Sequence, residues 1–496
     1  MAEATLEPSK IAKNTIYLTF ATIGQKVLAF FYFVLIARLA SVQGTGKYFF
    51  VVSFTTIFSI FIDLGLSSVL TRESAKNREV AGRYLGNILG VKAVLGVITY
   101  LAVVAAINIL DYPPATKMMV YLSGFVMLLD SFHLTFYAVF RGLHNLKYES
   151  MGVVIGETVI IMFGITSLLL AAPLYFLIFA LMCGSVFNFS FSLILLWKRT
   201  DIRPRLALDK SVLLVLFKIA YPFALAGVFV KIYSYLDSIL LSKLVGDTAV
   251  GFWSVAYKIT YAFQFIPMAF AASMFPAMSA YYVLDKTLLR KTFERAIFYL
   301  AVLAVPIAFG IFSLAEPIIL KLYGSAYAAS VAPLQIAIFA AIFIFLNFPV
   351  GSLLNASDRQ MTNTMIMGAA MALNVILNVI LIPRFSFLGA AVSVTVSHSV
   401  LFILGMIFAN KVVSYNKSFL FGSLLKIVFS AGLMGVAIIY SRPYIHWLFL
   451  IPLGGLIYFG VLFLIHGIER RDIINIWKAI KKEKAVEMID GQTEEL

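Results

Sequence analysis

KNTIYLTFATIGQKVLAFFYFVLIARLASVQGTGKY, residues 13–48, aligns without a gap on KIAYPFALAGVFVKIYSYLDSILLSKLVGDTAVGFW, residues 218–253. The offset of 205 residues pairs Lys13 with Lys218, Lys26 with Lys231, Arg38 with Lys243, Leu39 with Leu244 and Gly46 with Gly251. The match continues at an offset near 208, where Arg83 falls on Lys291. The chain therefore contains two copies of one unit in the same orientation, an arrangement that is typical of transporters.

The composition identifies the class of protein that carries this repeat. The chain has 496 residues, of which 61% are hydrophobic and 13% are charged, and its mean hydropathy is +0.96. In a soluble domain about a quarter of the residues are charged. The single cysteine, Cys183, excludes an internal disulfide or a cysteine metal cluster. These values exclude a soluble enzyme, a disordered protein and a disulfide scaffold, and they predict an integral membrane protein.

Apolar runs of about 20 residues, separated by short polar breaks, cover most of the chain, and a helix of that length crosses a hydrocarbon core of about 30 Å. We predict spans at 15–37, 48–70, 86–108, 118–140, 151–171, 174–197, 217–242, 249–276, 294–320, 333–355, 362–382, 388–410, 422–441 and 448–467. The predicted fold class is an all-α polytopic membrane protein of fourteen transmembrane helices. Two repeated six-helix bundles precede a C-terminal helix pair.

The predicted domains follow these spans. They are an N-terminal six-helix lobe (1–197), a cytoplasmic linker (198–212), a C-terminal six-helix lobe (213–410), helices 13 and 14 (411–467) and a cytoplasmic tail (468–496). In the tail, Ile473, Trp477 and Ile480 share one face opposite a Lys/Arg face, which predicts an amphipathic helix on the inner leaflet. Glu3 and Glu7 precede the first basic residues, and no cleavage site follows the first apolar run. We therefore expect the first span to be retained.

The positive charge is mainly a topology signal. Most of the 39 Lys and Arg residues lie in loops on the side of both termini, which predicts that both termini are cytoplasmic in a plasma-membrane protein. The net charge of +15 therefore does not indicate nucleic-acid binding. The outer loops are short and the phosphate-binding pattern G-x-x-x-x-G-K-S/T is absent, so we expect no enzymatic activity, cofactor or metal site.

Ionisable residues inside the predicted spans are candidates for function, because a charge in hydrocarbon must face a cavity or a partner. Lys26 lies near the middle of the first span, and Lys231 is its repeat mate in the seventh. Ser234 and Ser238 extend the polar face of Lys231. Two equivalent helices thus carry a cation at the same depth, which favours a shared cavity over the alternative that each lysine tethers two helices.

Two further polar patterns lie in the N-terminal half. Asp63, in the second span, either pairs with Lys26 or acts as a coupling carboxylate, and the Asp63-Leu64-Gly65-Leu66 stretch also fits a structured helix end. On the fourth helix, Asp130, His133, Tyr137 and Arg141 share one face. This stripe predicts a proton path or a polar-headgroup site, and its alternative is a hydrogen-bond ladder between helices.

Other intramembrane groups are assigned by type. Asp237 and Lys258 lie toward the outer side, where an ion pair between them is the favoured interpretation. Tyr257 and Tyr261 suit sugar stacking, and Trp253 also fits an interfacial belt. For the asparagines we favour helix packing. The further polar groups are Glu157, whose role stays open, Gln264, Asn347, Asn374, Asn378 and His398.

Several short motifs resemble a known family. In the first copy they are Ala37-Arg38-Leu39, Gly46-Lys47-Tyr48, Asp63-Leu64-Gly65-Leu66 and Thr71-Arg72-Glu73. In the second half they are Tyr235-Leu236-Asp237-Ser238-Ile239-Leu240-Leu241, Ala249-Val250-Gly251, Asn374 to Asn378 and Leu388-Gly389-Ala390-Ala391. With the fourteen-helix topology, they resemble the multidrug/oligosaccharidyl-lipid/polysaccharide (MOP) exporter superfamily, and most closely its polysaccharide transporter branch, the Wzx-type flippases.

The resemblance implies transfer of a polyprenyl-(pyro)phosphate-linked oligosaccharide between leaflets for surface polysaccharide biosynthesis, in a V-shaped cavity that opens alternately to each side. The implied partners are membrane lipids, the lipid-linked substrate, a coupling proton or sodium ion, and neighbouring polysaccharide polymerases and glycosyltransferases. We assign substrate binding to Lys26, Lys231, Lys258, Tyr257, Tyr261 and Arg141. We assign ion coupling or an intramembrane network to Asp63, Asp130, His133, Asp237 and Glu157.

Two alternatives within the superfamily stay open. The first is an ion-coupled multidrug antiporter. A resemblance to that branch implies twelve helices and an acidic residue in helix 1, whereas this chain has Lys26 there. The second is a peptidoglycan lipid-precursor flippase. A resemblance to that branch implies fourteen helices, as predicted here, and a cluster of arginines in the N-terminal cavity. A membrane-embedded glycosyl transferase would need a large outer loop bearing acidic residues, which the sequence lacks.

Overall fold

In the computed structural model, residues 8–468 are described, with side chains from residue 17 onward. The helices are α1 (Pro8–Leu39), α2 (Val42–Asp63), α3 (Leu66–Lys76), α4 (Val80–Ile109), α5 (Pro114–Gly142), α6 (Lys147–Leu169), α7 (Tyr175–Arg199), α8 (Lys210–Leu244), α9 (Asp247–Ala262), α10 (Phe265–Leu284), α11 (Lys286–Leu322), α12 (Val331–Ala356), α13 (Gln360–Asn410), α14 (Lys417–Ser441) and α15 (Trp447–Leu464). A short 3-10 helix, Ser325–Ser330, precedes α12. The predicted amphipathic tail falls in residues 469–496, outside the described part.

The described helices confirm the predicted all-α membrane fold. Thirteen helical segments among residues 8–468 are long and apolar enough to cross a membrane. The longest, α13, holds two of the predicted spans, 362–382 and 388–410, because its backbone turns at Ser386 with φ 53° and ψ −134°. Counting both halves of α13 gives the fourteen predicted spans.

Two of the spans consist of two helices each. The second span comprises α2 and α3, which are separated by the left-handed residues Leu64 (φ 43°) and Gly65 (φ 76°). The Leu64 amide closes α2 by donating to the Ile60 carbonyl, so the predicted helix end at this motif is confirmed. The eighth span comprises α9 and α10, which meet at Phe263 and Gln264.

The repeat is visible in the packing of the helices. In the N-terminal bundle, α6 packs on both α1 and α7. In the C-terminal bundle, α13 packs on both α8 and α12, and α12 also packs on α11. The trailing helices α14 and α15 pack on α11. Their attachment includes hydrogen bonds from Ser313 Oγ to the Gly435 carbonyl and from Tyr458 Oη to the Val302 carbonyl.

The bundles meet where α2 crosses α9, and the contact is reciprocal. We name the end of the molecule at which α1 and α8 begin the inner end, and the end at which α2 and α9 begin the outer end. A Cβ on Gly46 would overlap the Asp247 carbonyl and lie 2.6 Å from the Gly251 amide nitrogen. A Cβ on Gly251 would overlap the Val42 carbonyl. Because Gly46 and Gly251, like Val42 and Asp247, are repeat mates, the close approach follows the internal symmetry.

Repeat-related cations also join the bundles at the outer end. Arg38, at the end of α1, donates to the Lys321 carbonyl and to the Leu322 carbonyl at 2.7 Å, at the end of α11. Lys243, at the end of α8, donates to the Leu110 carbonyl at 2.7 Å, just beyond α4. Each cation thus binds the carbonyl end of a helix from the other bundle, where the helix dipole favours positive charge. We call these two contacts the outer clasps.

The linker between the bundles is fastened to the inner end of α4. The Asp209 amide donates to Asn87 Oδ1 at 2.6 Å, and Arg83 pairs with the Asp209 carboxylate at 2.7 Å. Asp209 also caps α8 by accepting from the Ser211 amide. Hydrogen bonds from Ser211 and Arg83 lower the pKa of the Asp209 carboxyl below its ordinary value, because they stabilise its ionised form. The start of α8 is therefore tied to the N-terminal bundle.

Candidate functional site

Asp63 is bound by a lysine that the sequence analysis did not single out. Lys92 of α4 is fully buried, and its Nζ forms an ion pair of 2.5 Å with Asp63 Oδ1. The same Nζ donates to Ser67 Oγ at 3.0 Å and to Thr135 Oγ1 at 2.6 Å. Of the two alternatives for Asp63, the pair with Lys26 is therefore wrong, because Asp63 points toward α4 and α5 rather than α1. A coupling role for Asp63 stays a prediction.

The polar stripe on the fourth span lies on α5 and is engaged with α7. Asp130 Oδ1 accepts from Ser185 Oγ at 2.5 Å and lies 3.5 Å from His133 Nδ1. Tyr137 Oη donates to Asn188 Oδ1 at 2.9 Å. The stripe therefore forms the interhelix ladder that was the alternative interpretation. A proton path through Asp130 and His133 stays a prediction.

Arg141, at the inner end of the same stripe, is held by a carboxylate. Its Nε and Nη2 donate to the two oxygens of Glu149 at 2.7 and 2.8 Å. The Glu149 side chain is only 8% exposed, and such a bidentate pair uses the fork geometry of the guanidinium. Arg141 therefore contributes to the packing of α5 on α6, and its assignment to the substrate site stays a prediction.

Asp237 does not pair with Lys258, so that prediction is wrong. The Asp237 carboxylate accepts from the Ser238 amide at 2.6 Å, the Ser238 hydroxyl at 3.0 Å and Trp253 Nε1 at 3.0 Å. Trp253 is fully buried, so its indole serves helix packing here. Asp237 joins α8 to α9 through neutral donors and leaves Lys258 without this partner.

Lys258 crosses to the N-terminal bundle. Its Nζ lies 5.2 Å from the centre of the Phe33 ring of α1 and 5.8 Å from that of the Phe49 ring of α2, within the range of cation–π attraction. It also interacts electrostatically with Glu157 of α6, whose carboxylate accepts from Gln25 Nε2 at 3.1 Å. Lys258 therefore sits at the junction of α1, α2 and α9, and Glu157 gains a structural partner on α1.

Aromatic rings continue along α9 beside Lys258. The rings of Tyr257 and Tyr261 lie 4.4 Å apart, and Tyr257 also contacts Phe49 across the bundle junction at 5.5 Å. Tyr261 Oη lies 3.0 Å from His398 Nε2. The structure therefore brings both predicted tyrosines together in one aromatic row between the two bundles.

Lys26 and Lys231 have no carboxylate bound to them. Among the described residues, neither lysine makes an ion pair or a side-chain hydrogen bond. Lys231 Nζ lies 5.8 Å from the centre of the Tyr235 ring and interacts at longer range with Asp63 and Asp130. Lys231 therefore faces the N-terminal bundle, whereas Lys26 lies on an exposed part of α1.

The C-terminal bundle contains a partly open cavity of about 360 Å³ between α8, α9, α12 and α13. We call it the amide cavity because four of its nine polar lining residues carry side-chain amides; four others carry hydroxyl groups and one is a histidine. That polar lining is Tyr233, Ser234, Tyr261, Gln264, Asn347, Ser352, Asn355, Asn363 and His398. The predicted packing role is confirmed for Asn374, whose Nδ2 donates to Ser397 Oγ at 3.0 Å and so joins the two halves of α13. Asn378 donates to Asn374 Oδ1 at 2.9 Å within the same half. Asn347 instead lines the cavity.

Sequence reasoning missed Lys92 and the cavity for different reasons. Lys92 is an ionisable residue within a predicted apolar span, so the rule that singled out Lys26 would also have found it. The amide cavity joins residues from four helices that are far apart in sequence. No spacing within one helix could indicate that they share a space.

A family model supports the predicted membership. The model named Polysaccharide biosynthesis protein matches residues 11–282, which is more than half of the chain. A second model, MatE, matches residues 222–380. The two matches together extend from the N-terminal bundle into the C-terminal one.

Curated relatives match different shares of the chain. The uncharacterized membrane protein MJ1068 of Methanocaldococcus jannaschii is 26% identical over 50% of this chain and 48% of its own length. The probable flippase AglR of Haloferax volcanii is 31% identical over 33% of this chain and 35% of its own length. This chain thus spans half or less of these two relatives. The capsular polysaccharide biosynthesis protein CapF of Staphylococcus aureus is 22% identical over 79% of this chain and 98% of its own length.

Solved structures confirm the fold. The Lipid II flippase MurJ, in an inward closed conformation, superimposes with a TM-score of 0.75 at 15% identity, covering 92% of this chain and all of that one. An inward-facing multidrug resistance MATE transporter of the MOP superfamily superimposes with a TM-score of 0.63 at 14% identity, covering 78% of this chain and 95% of that one. The chain belongs to the polysaccharide biosynthesis protein family, and its fold is that of the two solved transporters.

Proposed function

We propose that this protein moves a polyprenyl-(pyro)phosphate-linked oligosaccharide from the inner to the outer leaflet of the cytoplasmic membrane by alternating access. The observation that carries the proposal is the set of intramembrane lysines Lys26, Lys231 and Lys258. Among the described residues none of the three forms an ion pair with a carboxylate, whereas Lys92 does. Cations held in an apolar protein without a bound anion favour an anionic ligand.

The chemistry of the lysines supports a phosphate in particular. An ammonium binds phosphate as a compact point charge with three donors, and the low dielectric of a membrane cavity strengthens that attraction over its value in water. Lys258 and Lys231 both face the N-terminal bundle from the C-terminal one. A phosphate held there would lie between the two bundles, where a rocking movement can transfer it.

The reciprocal contacts at the outer end support the alternating mechanism. The Gly46–Gly251 approach and the outer clasps of Arg38 and Lys243 hold the bundles together there. The described conformation is thus closed at the outer end, as the inward state of such a cycle requires. These contacts must separate when the cavity opens outward.

The multidrug alternative is less well supported by the same residues. An organic cation would be repelled by Lys26, Lys231 and Lys258, and the partly exposed carboxylate of Asp63 is already paired with Lys92. The similarity of the fold to MurJ keeps a peptidoglycan lipid precursor within the same chemical class, a lipid (pyro)phosphate that carries sugars. The sugars and the lipid length distinguish the two in an assay.

Charge reversal tests the phosphate assignment in cells. The variant Lys26→Glu with Lys231→Glu, expressed in a strain that lacks the native protein, is expected to abolish surface polysaccharide at normal protein levels. The matched control is Lys147→Glu with Lys210→Glu, an equal charge change at exposed positions of the inner end, and it should keep export. Normal export by the first variant would refute the phosphate role of these lysines.

A further inference from the structure

The amide cavity has an uncharged lining, although Lys231 lies next to its lining residue Val230 on α8. None of its lining residues is Asp, Glu, Lys or Arg. Its polar groups are side-chain amides, hydroxyls and the His398 ring. Apolar side chains such as Ile344, Phe348 and Leu401 form the larger part of the lining surface. A lining of this kind suits an uncharged ligand that combines hydrogen-bonding groups with an apolar face. It does not suit a phosphate, which needs cations, or a metal ion, which prefers carboxylates.

Two polar groups of the cavity lining are left without partners. His398 is 7% exposed; its Nε2 lies near Tyr261 Oη, whereas its Nδ1 is buried with no hydrogen-bond partner. Asn347 Nδ2 is likewise buried and unpartnered. Buried polar groups are normally satisfied. Neither atom is accessible from the open space of the cavity, so a ligand hydroxyl or carbonyl group would satisfy them only after the side chains of Asn347 and His398 turn toward it. A lipid tail in the same space would leave them unsatisfied.

The size and the rings of the cavity fit a sugar. Its volume of about 360 Å³ lies in the range of small-molecule pockets, and a single water needs only about 30 Å³. The lining includes the aromatic residues Tyr233, Tyr261 and Phe348. Sugar rings combine hydroxyl groups with an apolar face that stacks on such rings.

The cavity adjoins a candidate phosphate-binding residue. Val230 and Ser234 of α8 line it, and Lys231 follows Val230 directly in the sequence. One turn of α8 therefore presents a free cation toward the N-terminal bundle and a polar wall toward the amide cavity. A ligand with a phosphate joined to a neutral sugar has the matching order of groups.

We propose that the amide cavity binds the uncharged sugar next to the phosphate of the transported lipid, with Asn347 and His398 donating to or accepting from its hydroxyl groups. This assignment rests on the proposed function and adds the place where the saccharide is recognised. The sugar would bind in the C-terminal bundle, and the phosphate would bind to the lysines between the bundles. Selectivity for the saccharide is then set by α12 and α13.

The test compares two lipids that differ only in the sugar. The full chain, purified in lipid nanodiscs, is titrated with undecaprenyl pyrophosphate and with undecaprenyl pyrophosphate carrying N-acetylglucosamine, galactose or glucose. One or two additional hydrogen bonds predict that at least one sugar lipid binds about threefold to tenfold more tightly than the bare lipid. Asn347→Leu and His398→Phe, each close in size to the native residue, should remove this gain and keep the affinity for undecaprenyl pyrophosphate.

Asn410→Leu, at the inner end of α13 outside the cavity, is the matched control and should keep the gain. The bare-lipid affinity also reports that each variant is folded. Three results would overturn the cavity assignment alone. The wild type could bind bare and sugar lipids with equal affinity, both cavity variants could keep the gain unchanged, or both could lose binding of the bare lipid. Failure of the wild type to bind any of the lipids would refute the proposed function and the sugar site with it.

Discussion

The buried pair of Lys92 and Asp63 makes a quantitative prediction about stability. Lys92→Met keeps the length of the side chain but removes the cation from a fully buried position, and it leaves the Asp63 carboxylate with only Ser67 as a donor. Breaking a buried ion pair typically costs 3–5 kcal/mol. Because the Asp63 side chain is 29% exposed, solvent offsets part of this, and we expect a loss of about 3 kcal/mol in the free energy of unfolding.

The double variant Lys92→Met with Asp63→Leu separates the pair from its parts. Since replacing a buried pair by apolar residues is often neutral, it should recover most of the loss. Lys117→Met provides the control, because Lys117 lies 3.7 Å from Asp111, which is 93% exposed, and such a pair contributes under about 1 kcal/mol. The free energies are measured by titration with sodium dodecyl sulfate. The reasoning fails if Lys92→Met costs no more than Lys117→Met, or if the double variant is less stable than Lys92→Met.

Two more predictions concern the outer end, and both are read as distances between spin labels on the outer ends of α2 and α9. Gly46→Ala or Gly251→Ala places a methyl group against the backbone of the other bundle, so the outer ends should separate. The control Gly455→Ala, which has nothing near its Cβ, should leave the distance unchanged. An unchanged distance in the first two variants contradicts the close approach of the bundles. Arg38→Ala with Lys243→Ala removes both outer clasps, each contributing about 1 kcal/mol, and should raise the outward-open population about thirtyfold. An unaltered distance distribution would show that the clasps do not hold the bundles together.

The sequence predicted the architecture because its signals are local or strictly repeated. Each span is one apolar run, and the repeat places Arg38 and Lys243 at matching helix ends, where the structure joins both to the opposite bundle. The kink at Ser386 fell between two predicted spans. The motif Asp63-Leu64-Gly65-Leu66 predicted the break between α2 and α3 because glycine adopts the left-handed conformation readily.

The pairings were harder to predict because sequence gives the depth of a residue but not the neighbour that it faces. Asp63 and Lys26 lie on adjacent predicted helices, yet Asp63 turns to Lys92. Asp237 and Lys258 also lie on adjacent helices, but the indole of Trp253 donates a hydrogen bond to the Asp237 carboxylate instead. Which helices touch is fixed by the packing of the whole bundle, so the partner of an intramembrane charge follows only from the three-dimensional arrangement.

The most direct test of the account is transport itself. The full chain is reconstituted into liposomes that contain a fluorescent undecaprenyl pyrophosphate-linked oligosaccharide, and the fraction accessible to an impermeant quencher is followed with time. We predict rapid exchange between leaflets with the wild type, and no more exchange than in protein-free liposomes with Lys26→Glu and Lys231→Glu combined. Exchange at the wild-type rate in that variant, or no exchange in the wild type while a fluorescent organic cation is transported, would contradict it.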